Sequence, residues 1–153
     1  MLRSCSWLLV VMVTVAFVAG CGGQKLPPGA RPTKKVTVTV LYKGAPVEGA
    51  AVTFVNQDGD PAPANGRTDK AGKAIMKTYV EGDGAVLGMH KVLVSKSEAV
   101  GGQAVDVDSP KYDPNAPPPT IKYLLPQKYS NLGNGLTAEV KDGPNDFTFD
   151  LKD

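Results

Sequence analysis

Thiols, imidazoles and indoles are scarce in this chain: of 153 residues two are cysteine, one is histidine and one is tryptophan. Both cysteines, Cys5 and Cys21, and Trp7 sit near the start, so the remaining sequence has no thiol for a disulfide. Its stability must come from an apolar core, which a chain of this size can bury. With only His90, no multi-histidine metal or acid–base site can be assembled. Charge is nearly balanced, 17 Lys and Arg against 15 Asp and Glu, a net of +2. That balance gives no case for nucleic acid as a partner. No Gly-x-Ser-x-Gly elbow is present, and Gly82 to Gly88 lacks the Lys-Ser/Thr of a phosphate loop, so it reads as a loop before a strand. No segment after residue 35 carries a helical period.

What is present begins with an apolar run, Trp7 to Val18, behind a single charge at Arg3. A short positive flank, a dozen apolar residues and a small-residue exit describe a secretory signal peptide. The run is short for a transmembrane helix, which needs about 20 residues. Val18-Ala19-Gly20-Cys21 resembles a bacterial lipobox. That resemblance implies cleavage before Cys21 and lipid on Cys21, in preference to an ordinary cleaved signal or an uncut anchor. Two or more acyl chains hold a protein firmly to a membrane at about 0.8 kcal/mol per buried CH₂. The expected organisation is a lipoprotein signal over 1–20, a flexible tether over 21–35 containing Pro27, Pro28 and Pro32, and one domain over 36–153. No aspartate follows Cys21, which in bacteria with two membranes points to the outer membrane of the cell envelope.

Short β-branched runs follow. In KVTVTVLYKG, Val36, Val38, Val40 and Tyr42 share one face and Thr37 and Thr39 the other. Further strands are expected around Val52–Val55, Ala74–Thr78, His90–Ser95 and Leu136–Val140. The closing stretch alternates Phe147, Phe149 and Leu151 against Thr148 and Asp150. Six or so strands with Gly- and Asp-rich turns read as an all-β antiparallel sandwich. Between about 97 and 122 the alternation lapses into a Pro/Gly-rich stretch. Pro114 and Pro117 to Pro119 cannot lie in a central strand, so a long surface loop is expected there.

These strands and turns resemble the carboxypeptidase regulatory-like, or transthyretin-like, domain. The shared pattern is G-x-P-V-x-G-A-x-V-x-F at Gly44 to Phe54, T-D-x-x-G at Thr68 to Gly72, and G-x-[aromatic]-x-V-x-V at Gly88 to Val94, with His90 at the aromatic position. The ending from Leu125 onward, L-P-x-K-Y-S, then G-L-T-x-x-V, then G-x-N-x-F-x-F-x-L, is similar to that of small bacterial lipoproteins carrying such a domain. The resemblance implies a sandwich of about seven strands and implies little about activity. His90 stands where that family usually places Tyr. Two enzyme types on related sandwiches do not fit. Intradiol dioxygenases need two His and two Tyr on iron. Hydroxyisourate hydrolases use several His and end in Tyr-Arg-Gly-Ser, whereas this chain ends Phe149-Asp150-Leu151-Lys152-Asp153.

His90 lies in phase with Val92 and Val94 and reads as an aromatic replacement facing the core. Asp58/Asp60 and Asp106/Asp108 offer oxygen pairs of a kind that Ca²⁺ accepts, but neither continues into an EF-hand, and both read as solvated turns. Tyr112, Tyr123 and Tyr129 lie in or beside the expected loop, where packing the loop down is the first reading and sugar or protein contact the second. The sequence therefore points to a non-catalytic envelope protein, attached to the membrane through lipid on Cys21, with no catalytic, cofactor or metal residues. Its role would be structural or that of a weak interaction module. The alternative is a ligand-binding protein for envelope glycan, peptide or calcium. Behind both stands a hydrolase using His90.

Overall fold

A computed structural model of the chain describes residues 26–59, 62–102, 108–110, 113, 115 and 117–153. Cys5, Cys21, Asp60, Asp106, Tyr112 and Pro114 lie outside the described residues. The fold is all-β. The strands are β1 (Thr33–Lys34), β2 (Thr37–Tyr42), β3 (Ala45–Pro46), β4 (Ala51–Asn56), β5 (Ala64–Arg67) and β6 (Lys73–Ile75). They continue as β7 (Ala85–Val86), β8 (Gly88–Ser95), β9 (Ser97–Val100), β10 (Thr120–Tyr123), β11 (Thr137–Val140) and β12 (Asp146–Leu151). A single 3₁₀ turn, Gln127–Ser130, is the only helical element among the described residues.

One four-stranded sheet runs β11-β8-β4-β5 and is antiparallel throughout. The other runs β12-β2-β3, with β6 also paired to β2. The period-2 pattern sets their inner faces. Val38 and Val40 of β2, Val52 and Phe54 of β4, Val92 and Val94 of β8, and Leu151 of β12 are buried in one cluster. Phe54 meets Phe147 of β12 with ring centroids 5.9 Å apart, so the two sheets share this core. Phe147 and Phe149 point inward, while Asp146, Thr148 and Asp150 are exposed, as their alternation predicts.

The sheets are not wholly antiparallel. β12 pairs with β2 in parallel, Phe147 opposite Val38 and Phe149 opposite Val40. The reason lies in the preceding turn, which delivers the chain at the end where β2 also starts. Thr37 N donates to Asn145 O at 2.9 Å. The Asn145 side chain locks that turn: its Oδ1 accepts from Lys141 N at 2.9 Å, and its Nδ2 donates to Gly143 O at 2.8 Å and Lys141 O at 3.0 Å. Alternation records which face is buried and carries no information on strand direction.

The expected 97–122 loop also differs. It begins and ends as a two-stranded ribbon, β9 with β10, in antiparallel register from Ser97↔Tyr123 to Val100↔Thr120. All eight of its residues are exposed, so it has no core face and no one-sided apolar alternation to reveal it. Pro117 to Pro119 stop just short of β10, consistent with their missing donors. The tether, too, is ordered at its end, where β1 pairs with β7. Gly84 makes that approach possible, because a Cβ there would overlap the carbonyl oxygen of Lys34.

Candidate functional site

His90 sits on β8 and is 1 % exposed. Its ring packs against Phe54 at a centroid distance of 5.6 Å, and Nε2 lies 2.8 Å from Val86 O. That carbonyl requires the proton on Nε2. Asn56 Nδ2, 3.4 Å from the same nitrogen, then donates to Leu87 O at 3.4 Å. Nδ1 is buried with no partner among the described residues. A general base needs an open path to the proton it removes. Here one nitrogen is committed to a backbone carbonyl and the other faces packed protein.

The remaining sequence candidates are scattered. Asp58 borders Gly88, where a Cβ would collide with its Oδ2. Its possible partner Asp60, and Asp106 beside Asp108, lie outside the described residues. Among the described residues no group of three or more His, Cys, Asp or Glu converges. The Gly82–Gly88 stretch carries β7 and is tied down by Asp83, whose carboxylate accepts from Thr78 N at 2.7 Å, Tyr79 N at 3.0 Å and Val80 N at 3.2 Å. Tyr129 is buried, and its hydroxyl bridges the backbone of Lys152, donating to O at 2.9 Å and accepting from N at 3.0 Å. Tyr123 is exposed on the ribbon. Lipid attachment at Cys21 concerns a residue outside the described set.

The structure brings together a different group. β5 and β6 form a hairpin whose arms belong to different sheets, β5 bonded to β4 and β6 to β2. Its tip is the Thr68–Gly72 turn. Thr68 Oγ1 donates to Val47 O at 2.6 Å and accepts from Ala50 N at 2.7 Å. Asp69 Oδ1 accepts from Ala71 N at 2.8 Å and Lys73 N at 2.9 Å. Gly72 takes a positive φ, which glycine adopts without steric cost. A Cβ at Gly72 would lie 2.6 Å from Val40 O, so the turn sits directly on β2. At its other end Asn65 and Lys77 close the hairpin with reciprocal backbone bonds of 2.7 and 2.8 Å.

On the outer surface between these closures lies a groove of about 500 Å³. Its lining includes Ile75, which is 65 % exposed. It also includes Arg67, Lys73 and Lys77 together with Asp69 and Glu81. Lys77 Nζ pairs with Glu81 at 3.0 Å. Arg67 Nη1 has a long bond to Gly49 O at 3.4 Å, and neither Arg67 nor Lys73 makes an ion pair among the described residues. The unbroken apolar run Ala74, Ile75 and Met76 hides this group from a reading of the sequence. The legible signal is phase: Ile75 shares its face with Lys73 and Lys77, whereas Ala74 and Met76 are buried.

No family model, no curated protein and no solved structure matches this chain. Among the described residues no helix is long and apolar enough to cross a membrane.

Proposed function

We propose that this protein is a lipid-anchored, non-catalytic interaction module of the cell envelope, met by partners through its outer sheet surface. Its two sheets are read as a transthyretin-like, carboxypeptidase regulatory-like sandwich. The observation that carries the non-catalytic reading is the burial of His90 at 1 % exposure with Nε2 held by Val86 O. The sole imidazole is spent on packing, an arrangement that weighs against the hydrolase that would have used it. The anchor rests on Val18-Ala19-Gly20-Cys21 behind the apolar run, and two or more acyl chains there give stable membrane attachment. The missing aspartate after Cys21 favours the outer membrane.

The test is intact-mass measurement of the protein expressed in a bacterium, with membrane fractionation. The expected result is a chain beginning at Cys21 that carries diacylglycerol and an amide-linked acyl group. Cys21→Ala should accumulate as an uncleaved precursor. A wild-type protein processed at residue 21 without lipid refutes the anchor.

A further inference from the structure

We infer that the β5–β6 groove is a binding site for a short extended acidic peptide segment whose carboxylates alternate with aliphatic side chains. The inference deepens the reading above, and rests on it, by naming the class of partner the module takes. The groove is as large as an ordinary ligand site. The chemistry of the lining sets the class. Three cationic side chains face two carboxylates, and both carboxylates are already engaged, Asp69 by the amides of its own turn and Glu81 by Lys77. Arg67 and Lys73 are left as the cations without an ion-pair partner among the described residues. A guanidinium and an amine lining one groove suit carboxylate oxygens, and charge-assisted bonds to them are the strong ones.

The spacing points to an extended chain. Lys73, Ile75 and Lys77 share one face. Along a strand, side chains on one face recur every second residue, about 7 Å apart. A peptide lying extended along this row repeats its own alternate side chains at the same interval. One carboxylate would then meet Lys73, with Arg67 lining the same groove, a second would compete with Glu81 for Lys77, and an aliphatic side chain would cover Ile75, which is 65 % exposed in a strand whose other apolar residue is buried. No aromatic ring lines the groove, so it offers no stacking platform for the ring of an acidic sugar. That favours peptide over uronate glycan.

The experiment uses the full chain in detergent micelles and a fluorescently labelled Glu-Leu-Glu-Leu-Glu peptide, read by anisotropy. Saturable binding is expected, weakening as salt screens the charges. Arg67→Ala and Lys73→Ala should each weaken it about tenfold, the size of one charge-assisted contact. Ile75→Ser should also weaken it. Lys91→Ala removes an exposed cation outside the groove and should change affinity less than about twofold. All four substitutions are at exposed positions, and a thermal melt matching the parent certifies each variant. The inference is overturned by absence of saturation up to about 1 mM peptide. It is equally overturned if Lys91→Ala weakens binding as much as Lys73→Ala, or if trigalacturonate saturates the groove where the peptide does not. None of these results touches lipidation at Cys21 or the burial of His90, so failure here leaves the anchored, non-catalytic reading to its own test.

Discussion

Replacing His90 separates a packing role from every other use of an imidazole. His90→Ala removes a ring that is 1 % exposed and packed against Phe54 at 5.6 Å. It leaves a cavity, and it strips Val86 O of a donor at 2.8 Å. Losing a buried ring typically costs about 3–5 kcal/mol in transfer and cavity terms, while the stranded carbonyl, at about 1–3 kcal/mol, is opposed by deletion of the unpartnered Nδ1. His90→Phe keeps most of the volume. It still strands Val86 O, but it also deletes Nδ1, which is buried without a partner among the described residues. The two polar effects oppose each other, so the net cost is about 0–2 kcal/mol. Unfolding entropy is about 2.1 cal/mol/K per residue, so for a domain of about 120 residues 1 kcal/mol shifts Tm by about 4 °C. The expected losses are about 12–20 °C for His90→Ala and no more than about 8 °C for His90→Phe. Thermal unfolding followed by circular dichroism reads both. Equal losses would mean that the nitrogen, not the ring volume, matters at this position. An unchanged Tm in His90→Ala would mean that the ring is not packed in the core.

Two further outcomes follow from the closing strand and its end. Phe149 is buried opposite Val40, whereas Thr148 is exposed. Phe149→Ala should cost about 3–5 kcal/mol and Thr148→Ala no more than about 0.5 kcal/mol by urea denaturation; similar costs would reject the inward placement of β12. The Tyr42 hydroxyl donates to the Asp153 carboxylate, which also pairs with Lys43. The hydrogen bond to Asp153 holds the Tyr42 phenol above its ordinary range, and the Lys43 and Tyr42 hydrogen bonds hold Asp153 below the usual carboxylate range. By linkage, the Tyr42 contribution is present below the ordinary phenol range and lost as pH rises through the raised value. The Asp153 contribution is present above the ordinary carboxylate range and lost as pH falls through the lowered value. Asp153→Asn should therefore bring the Tyr42 phenolate absorbance transition to lower pH, as assigned by difference from Tyr42→Phe, and an unmoved transition would show that the contact does not form in solution.

Much of the architecture was legible from residues that face a core. Val38, Val40, Val52, Phe54, Val92, Val94 and Phe149 alternate in the chain, and each is buried. Burial on one face of a strand imposes a period of two, which any reader of the sequence can see. The T-D-x-x-G stretch was legible for a related reason, since Asp69 must satisfy turn amides and Gly72 must take a positive φ. The in-phase position of His90 with Val92 likewise placed it inward, and the structure adds the partner, Val86 O.

The sequence by itself thus determined the buried faces of β2, β4, β8, β11 and β12, the tight turn at Thr68–Gly72, and that the domain must hold without a disulfide; β5 and β7, with only one and two buried residues, carry no period of two. Tertiary structure alone decided three things. It set β12 parallel to β2, because direction depends on where the Asn145 turn delivers the chain and not on which side chains are apolar. It formed the β9–β10 ribbon, whose residues are all exposed and so leave no one-sided pattern. And it assembled the groove, because Arg67 and Lys73 come from two arms of a hairpin that hydrogen-bond into different sheets, and only the pairing of both sheets brings those charges into one groove with Ile75.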